Sequence, residues 1–199
     1  MKKIMLLLII LLGLSATFSF AQENYVQEED NVLKKEITIP SFEIVVNEGG
    51  GNIYFHYSHT SSIILEGTNT CMKNVSIETL SSTLKISPKG GLSKSCNLDI
   101  HIYTPVLKEI QQNGGGTIVV NKGFDTIDVF KCSLDGGGDI NISAIKVNSL
   151  FATIDGGGEI SAQVKSNLNG RIRGGGLIYY QGNPIVEENV SGGGAIRQK

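Results

Sequence analysis

Residues 134–160 read LDGGGDINISAIKVNSLFATIDGGGEI, and this stretch decides the fold. Two glycine triplets, 136–138 and 156–158, stand 20 residues apart in nearly the same setting. An apolar residue lies two places before each (Leu134, Ile154), an acidic pair flanks each, and an isoleucine lies two places after (Ile140, Ile160). Between them runs an alternation of apolar and polar residues, the mark of a strand with one face buried. Working outward, the triplet recurs at 49–51, 114–116, 174–176 and 192–194, always followed two places later by isoleucine: Ile53, Ile118, Ile178 and Ile196. In the last four copies the residue two places before is apolar as well, with Ile172 and Val190 completing that set. Such internal repetition is the signature of a repeat architecture.

The last five triplets are spaced 22, 20, 18 and 18 residues apart. An extended chain rises about 3.3 Å per residue, so one period makes a path of roughly 60–70 Å. That length suits one coil of a β-solenoid, with coils stacked at the spacing of paired strands and narrowing toward the C-terminus. The six isoleucines would form an inward row, and Gly115, Gly137, Gly157, Gly175 and Gly193, at the centres of the triplets, would be structural. Corners need positive φ or close backbone approach, and glycine permits both. A phosphate-binding reading fails, because no GxxxxGK[ST] occurs and no glycine run opens a helical pattern. Other segments, such as Leu98-Asp99-Ile100-His101-Ile102-Tyr103, also alternate. The fold class is therefore all-β, with almost no helix expected.

The N-terminus has a different character. Lys2 and Lys3 precede the apolar run Ile4–Leu14, and Ser19-Phe20-Ala21 offers small residues for cleavage, so residues 1–21 read as a secretory signal peptide. The run is short for a membrane span, which needs about 20 residues. Residues 22–40 read as a flexible leader. Residues 41–199 form the solenoid domain, with looser coils over 41–105 and regular coils over 106–199. Export places the chain in the periplasm, on the cell surface or outside a bacterium. Of 17 Lys and Arg residues, two lie in the signal, which leaves 15 against 19 acidic ones and a net charge of −4 after cleavage. Nucleic acid demands the opposite balance. The three cysteines permit at most one bridge, with Cys71–Cys96 as the plausible pair. They equally suit three small buried hydrophobes, Cys132 included.

No catalytic motif stands out along the chain, but a family pattern is present. The strand ending in Tyr103-Thr104-Pro105-Val106-Leu107, the glycine corners, and Ile178-Tyr179-Tyr180-Gln181-Gly182-Asn183-Pro184 resemble the putative auto-transporter adhesin, head GIN domain family. The likeness begins near Phe42-Glu43-Ile44 and runs to the C-terminus. Family corners are often Gly-Ser-Gly, where this chain has Gly-Gly-Gly throughout. The resemblance implies a right-handed single-stranded β-helix of the bacterial envelope, with an adhesin-like role and no catalytic residues to carry over.

Candidate sites are few. Asp135, Asp139, Asp155 and Glu159 flank two corners and would stack into a set of carboxylates able to hold Ca²⁺, or would simply cap their own turns. Asp139, Glu159 and Arg173 would be the groups of a polysaccharide-active enzyme. His56 and His59 are three apart on a strand and so point to opposite faces; with His101 they read as separate surface residues. Carbohydrate contact falls to Tyr179 or Tyr180, of which one must face in and one out. Asp125-Thr126-Ile127 resembles a short O-glycosylation acceptor. Arg197 and Lys199 would guard the last strand edge. No cofactor is expected, and the anticipated partner is an envelope or extracellular glycan or protein.

Overall fold

The computed structural model of this chain describes residues 26–27, 32–90 and 97–199. The expected signal peptide, 1–21, lies outside them. The chain is all-β, 68% strand and 3% helix, and forms a β-solenoid. In chain order the elements are β1 (Val26–Gln27), β2 (Leu33–Thr38), β3 (Ile44–Asn47), β4 (Asn52–Tyr57), β5 (Ser62–Gly67), the short helix α1 (Asn69–Lys73), β6 (Val75–Leu80), β7 (Thr83–Pro88) and β8 (Leu98–Thr104). They continue with β9 (Glu109–Asn113), β10 (Thr117–Val120), β11 (Ile127–Gly136), β12 (Asp139–Gly156), β13 (Glu159–Gly174), β14 (Leu177–Gln181), β15 (Ile185–Ser191) and β16 (Ala195–Gln198).

Each coil that carries a glycine triplet has two limbs joined by that corner. The limbs leaving the corners stack in parallel as β4, β10, the start of β12, the start of β13, β14 and β16. We call this the exit face. The limbs entering the corners stack as β3, β9, β11, the end of β12, the end of β13 and β15, forming the entry face. Register is kept at every step of the exit face: Ile53 pairs with Ile118, Ile118 with Ile140, Ile140 with Ile160, Ile160 with Ile178, and Ile178 with Ile196. The first five are at most 1% exposed. Burying each such side chain contributes about 1.5–3 kcal/mol. Ile196, in the last coil, is only partly buried.

The corner at 156–158 shows which glycines the stack requires. Gly156 has φ of +139°, and a Cβ there would sit 2.2 Å from the carbonyl oxygen of Gly136 in the coil below. At Gly158 it would sit 2.1 Å from the oxygen of Gly138. At Gly157 it would meet nothing within 4 Å. The same open space surrounds Gly115, Gly137, Gly175 and Gly193. The expectation that these central glycines are the structural ones is therefore corrected: the flanking glycines carry the constraint. The reason is that backbone stacks on backbone at both ends of the corner, with Gly157 N donating to Gly136 O at 2.9 Å and Glu159 N to Gly138 O at 3.1 Å, while the central Cα points outward.

The N-terminal half departs from simple winding. The coil β3–β4 comes first in sequence, yet it lies between two later ones: β7–β8 on one side and β9–β10 on the other. Beyond β7–β8 the parallel winding stops. β5 pairs antiparallel with β8, β2 antiparallel with β5, and β6 antiparallel with β7. Residues 41–105 thus hold two parallel coils and an antiparallel cap. The flexible leader expected over 22–40 does not hold for 33–38, which form β2; alternation of Leu33, Lys35 and Ile37 with Lys34, Glu36 and Thr38 gives that strand one apolar-leaning face. Thr68 caps helix α1, its hydroxyl accepting from Cys71 N at 3.3 Å. Cys71 is disulfide-bonded, so the expectation of three simple hydrophobes fails for it; its expected partner, Cys96, lies outside the described residues. Cys132 is a free, buried thiol, and burial raises its pKa. Where β8 leaves for β9, the buried Thr104 hydroxyl donates to Val106 O at 2.9 Å, which pins the chain around Pro105.

Candidate functional site: the outer surface of the exit face

Side chains alternate across a strand, so the residues between the buried isoleucines point outward. Register then places them in rows. One row runs His101, Tyr54, Val119, Asn141, Ser161, Tyr179 and Arg197 across seven neighbouring strands. A second begins with Tyr103, paired with His56. At one end of the face four rings stack: Tyr54 on His101 with centroids 5.0 Å apart, His56 on His101 at 5.3 Å, and His56 on Tyr103 at 4.8 Å. At the other end Tyr179 lies under Lys199, whose Nζ is 4.0 Å from the ring centroid. Tyr180 points the other way and packs against the core.

Between the two aromatic ends the floor is made of short side chains, Val119 followed by the polar Asn141 and Ser161. A shallow hollow of about 260 Å³ is lined by Thr117, Val119, Asp139, Asn141, Glu159 and Ser161. A smaller one of about 90 Å³ adjoins it, lined by Ser143, Tyr179, Gln181 and Lys199 among others, and Asn141 and Ser161 line both. Tyr54 and Tyr179 are four strand spacings apart, about 19 Å. Glu159 accepts from Ser161 Oγ at 2.8 Å and faces Lys199 Nζ at 3.5 Å, so the floor is ordered by its own hydrogen bonds.

The histidines, expected to be separate surface residues, are brought together in part. His56 Nε2 and His101 Nδ1 are 3.1 Å apart. Asn121 Nδ2 lies 3.4 Å from His56 Nδ1, and His101 Nε2 lies 3.8 Å from Glu66 Oε2. These contacts fit one chain of donors: the Asn121 amide to His56, His56 to His101, and His101 toward the Glu66 carboxylate. Burial, and next the neighbouring His101, lower the pKa of His56. His59 is apart from this group, on the exposed ring of Tyr57. The pairing arises because β8, 45 residues later in sequence, lies beside β4; the only sequence trace of it is the shared alternation of the two strands.

The acidic residues are divided by the corner. Asp135 and Asp155 are in register on the entry face, and Asp139 and Glu159 are in register on the exit face. Asp155 is engaged by Arg173, which donates to its carboxylate through both Nε and Nη2. That hydrogen bonding first, and the charges of Arg173 and Arg171 next, lower the Asp155 pKa. Arg173 is thus held on the entry face, on the opposite limb from Asp139 and Glu159, and the expected trio is not assembled. Among the described residues no group of three or more His, Cys, Asp or Glu is arranged to hold a metal ion. Thr126 of Asp125-Thr126-Ile127 is exposed, between β10 and β11. Among the described residues no helix is long and apolar enough to cross a membrane.

Comparison with known proteins agrees with the geometry. A putative adhesin from Bacteroides fragilis superposes with a TM-score of 0.54 at 18% identity, over 87% of this chain and 100% of that one. A putative lipid binding protein from Parabacteroides distasonis superposes with a TM-score of 0.51 at 18% identity, over 86% of this chain and 98% of that one. At such identity the likeness speaks for the fold. No curated protein matches the chain. The family described as putative auto-transporter adhesin, head GIN domain matches residues 41–130 and 124–184. Its two matched segments together take in both aromatic ends of the exit face and every corner up to 174–176, and the chain belongs to that family.

Proposed function

We propose that this chain is an exported, non-catalytic, adhesin-like binding module that holds an extended glycan along the outer surface of its exit face. The observation that carries this reading is the arrangement of that face: stacked rings at Tyr54, His56, His101 and Tyr103, a trough of short, mainly polar side chains, and Tyr179 at the far end. The stacked rings present their outer edges as an apolar ridge, the mobile Lys199 side chain can yield the Tyr179 face to a ligand, and the amides and hydroxyls of Asn141 and Ser161 offer hydrogen bonds between them. Sheet pairing holds the floor rigid, so little conformational entropy is lost when a chain-like ligand settles there. Many weak contacts along one row then add up in a single ligand.

The test is a glycan array probed with the purified chain, followed by titration of any hit. Tyr54→Ala and Tyr179→Ala should each weaken binding by about tenfold or more, as loss of an aromatic anchor does. Phe151→Ala, on the exposed entry face, should leave it unchanged. Absence of any glycan binding at high micromolar concentration, or equal binding by all four proteins, defeats the reading. Shortening of a polysaccharide during the titration, abolished by Asp139→Asn or Glu159→Gln, would replace it with catalysis.

A further inference from the structure

The open end of the core, at the N-terminal cap, holds a second cavity unrelated to the exit face. Its volume is about 530 Å³, within the range of small-molecule sites, roughly 300–1,000 Å³. It forms because the parallel winding ends at β7–β8. There β2 and β5 extend one face and β6 the other, and among the described residues no glycine triplet joins these strands. The apolar walls come from Ile37, Leu65, Met72, Val75 and Ile77. Terminal layers of repeat proteins ordinarily close with a polar surface. Here the hydrophobic core continues into a hollow.

Among the described lining residues the charged side chains have one sign. Lys35, Lys73 and Lys89 line the cavity, and no Asp or Glu is among its described lining residues, although the chain as a whole carries a net charge of −2. Lys35 is placed there by register. It pairs with the buried Leu65 on the inward side of β2, whereas its neighbour Lys34 points outward to Glu66 at 3.5 Å. Lys35 is half-buried there, and its stem adds to the apolar wall. Lys73 and Lys89 are both exposed beside it.

From this juxtaposition we infer that the cavity binds a single-chain anionic amphiphile, its hydrocarbon tail among Ile37, Leu65, Met72 and Ile77 and its head on the ammonium groups of Lys73 and Lys89. A cationic head would be set against like charge at the mouth, and a wholly polar anion would leave the apolar walls wet. Carboxylate and phosphate heads share the required chemistry.

Isothermal titration of the purified chain with dodecanoate and with dodecyl phosphate, both below their micellar concentrations, tests this. Saturable one-to-one binding of either is expected, and the tighter of the two names the head. Dodecyltrimethylammonium, with the same tail, should bind at least about tenfold more weakly. Reversing two charges in Lys73→Glu/Lys89→Glu should weaken the anionic ligand by about tenfold or more, the effect of opposing a charged head with like charge. Both lysines are exposed, so the variant is expected to melt as the wild type does, and a matched melting curve verifies that it folds. Binding that does not saturate, equal binding of the cationic amphiphile, or full affinity in the folded double variant overturns the inference.

Discussion

Asn47 and Gln112 share a hydrogen bond inside the apolar core: Asn47 Nδ2 donates to Gln112 Oε1 at 2.8 Å, and neither residue is more than 1% exposed. They occupy the position two before the glycines in the first two corners, where Leu134, Ile154, Ile172 and Val190 stand in the others. The two amides also reach the corners themselves. Asn47 Nδ2 donates to Gly49 O at 3.1 Å, and Gln112 Nε2 to Gly49 O and Gly115 O. Since β3 and β9 are joined across 65 residues of sequence, this pair ties the displaced first coil to its neighbour. Gln112→Leu leaves the Asn47 amide buried without its partner and should cost about 1–3 kcal/mol. Asn47→Leu/Gln112→Leu removes both groups and should cost less than the sum of the single changes. Chemical denaturation of the four proteins measures the coupling, and additivity would remove the role assigned to the pair.

The corners give the second prediction. Gly156→Ala forces a Cβ against the carbonyl of the coil below at a φ that alanine rarely adopts, and should destabilise by about 2–3 kcal/mol or more. Gly157→Ala meets open space and should be neutral or stabilising by up to about 1 kcal/mol, through the unfolded chain. Melting temperatures distinguish the two. Equal losses would mean that the centre of the corner is as constrained as its ends.

The isoleucine row gives a third. Ile160 is fully buried between Ile140 and Ile178, so Ile160→Ala should cost about 2–5 kcal/mol. Among the described residues Ile196 has a neighbour on one side only in its row, and it is partly exposed, so Ile196→Ala should cost clearly less. Urea unfolding of both variants tests the gradient along the stack.

Acid should act in two separate windows. His56 is held below its ordinary value of 6.5 by burial and by His101, so the unfolded chain takes up that proton before the folded chain does. Stability from this group is full above about pH 6.5 and falls as the pH drops below it. The groups facing the His56 ring are His101, Tyr103 and Asn121, with Glu66 beyond His101. Asp155 is also lowered, from an ordinary 3.8, by the hydrogen bonds from Arg173. Its contribution is present above about pH 3.8 and is lost only on further acidification. Melting temperature against pH should therefore decline between 7 and 5 in the wild type and less steeply in His56→Gln, whereas Asp155→Asn should melt lower than the wild type above about pH 4 and converge on it with further acidification. A His56→Gln profile parallel to that of the wild type from 7 to 5 would contradict the assignment.

The architecture was legible where the information is local. A glycine triplet is its own corner, and the isoleucine two places on alternates inward from it, so residues 106–199 can be read as coils from spacing alone. Which glycine matters was not legible, because all three are the same letter and the distinction lies in the carbonyl of the next coil. The exit-face groove was only half visible: Tyr179 stands inside the regular repeat, while Tyr54, His56, His101 and Tyr103 come from strands whose adjacency follows no period.

By itself, then, the sequence determined the all-β winding, the corners and the buried row, since each depends on neighbours a few residues apart or on one constant spacing. Only the tertiary structure decided that β3–β4 sits between β7–β8 and β9–β10, that two histidines meet, and that the cap leaves a lysine-rimmed hollow. The first two outcomes rest on pairing between strands some 40–65 residues apart, and such pairing is settled by which apolar faces close over one another, a property of the packed chain with no local trace in the order of its residues.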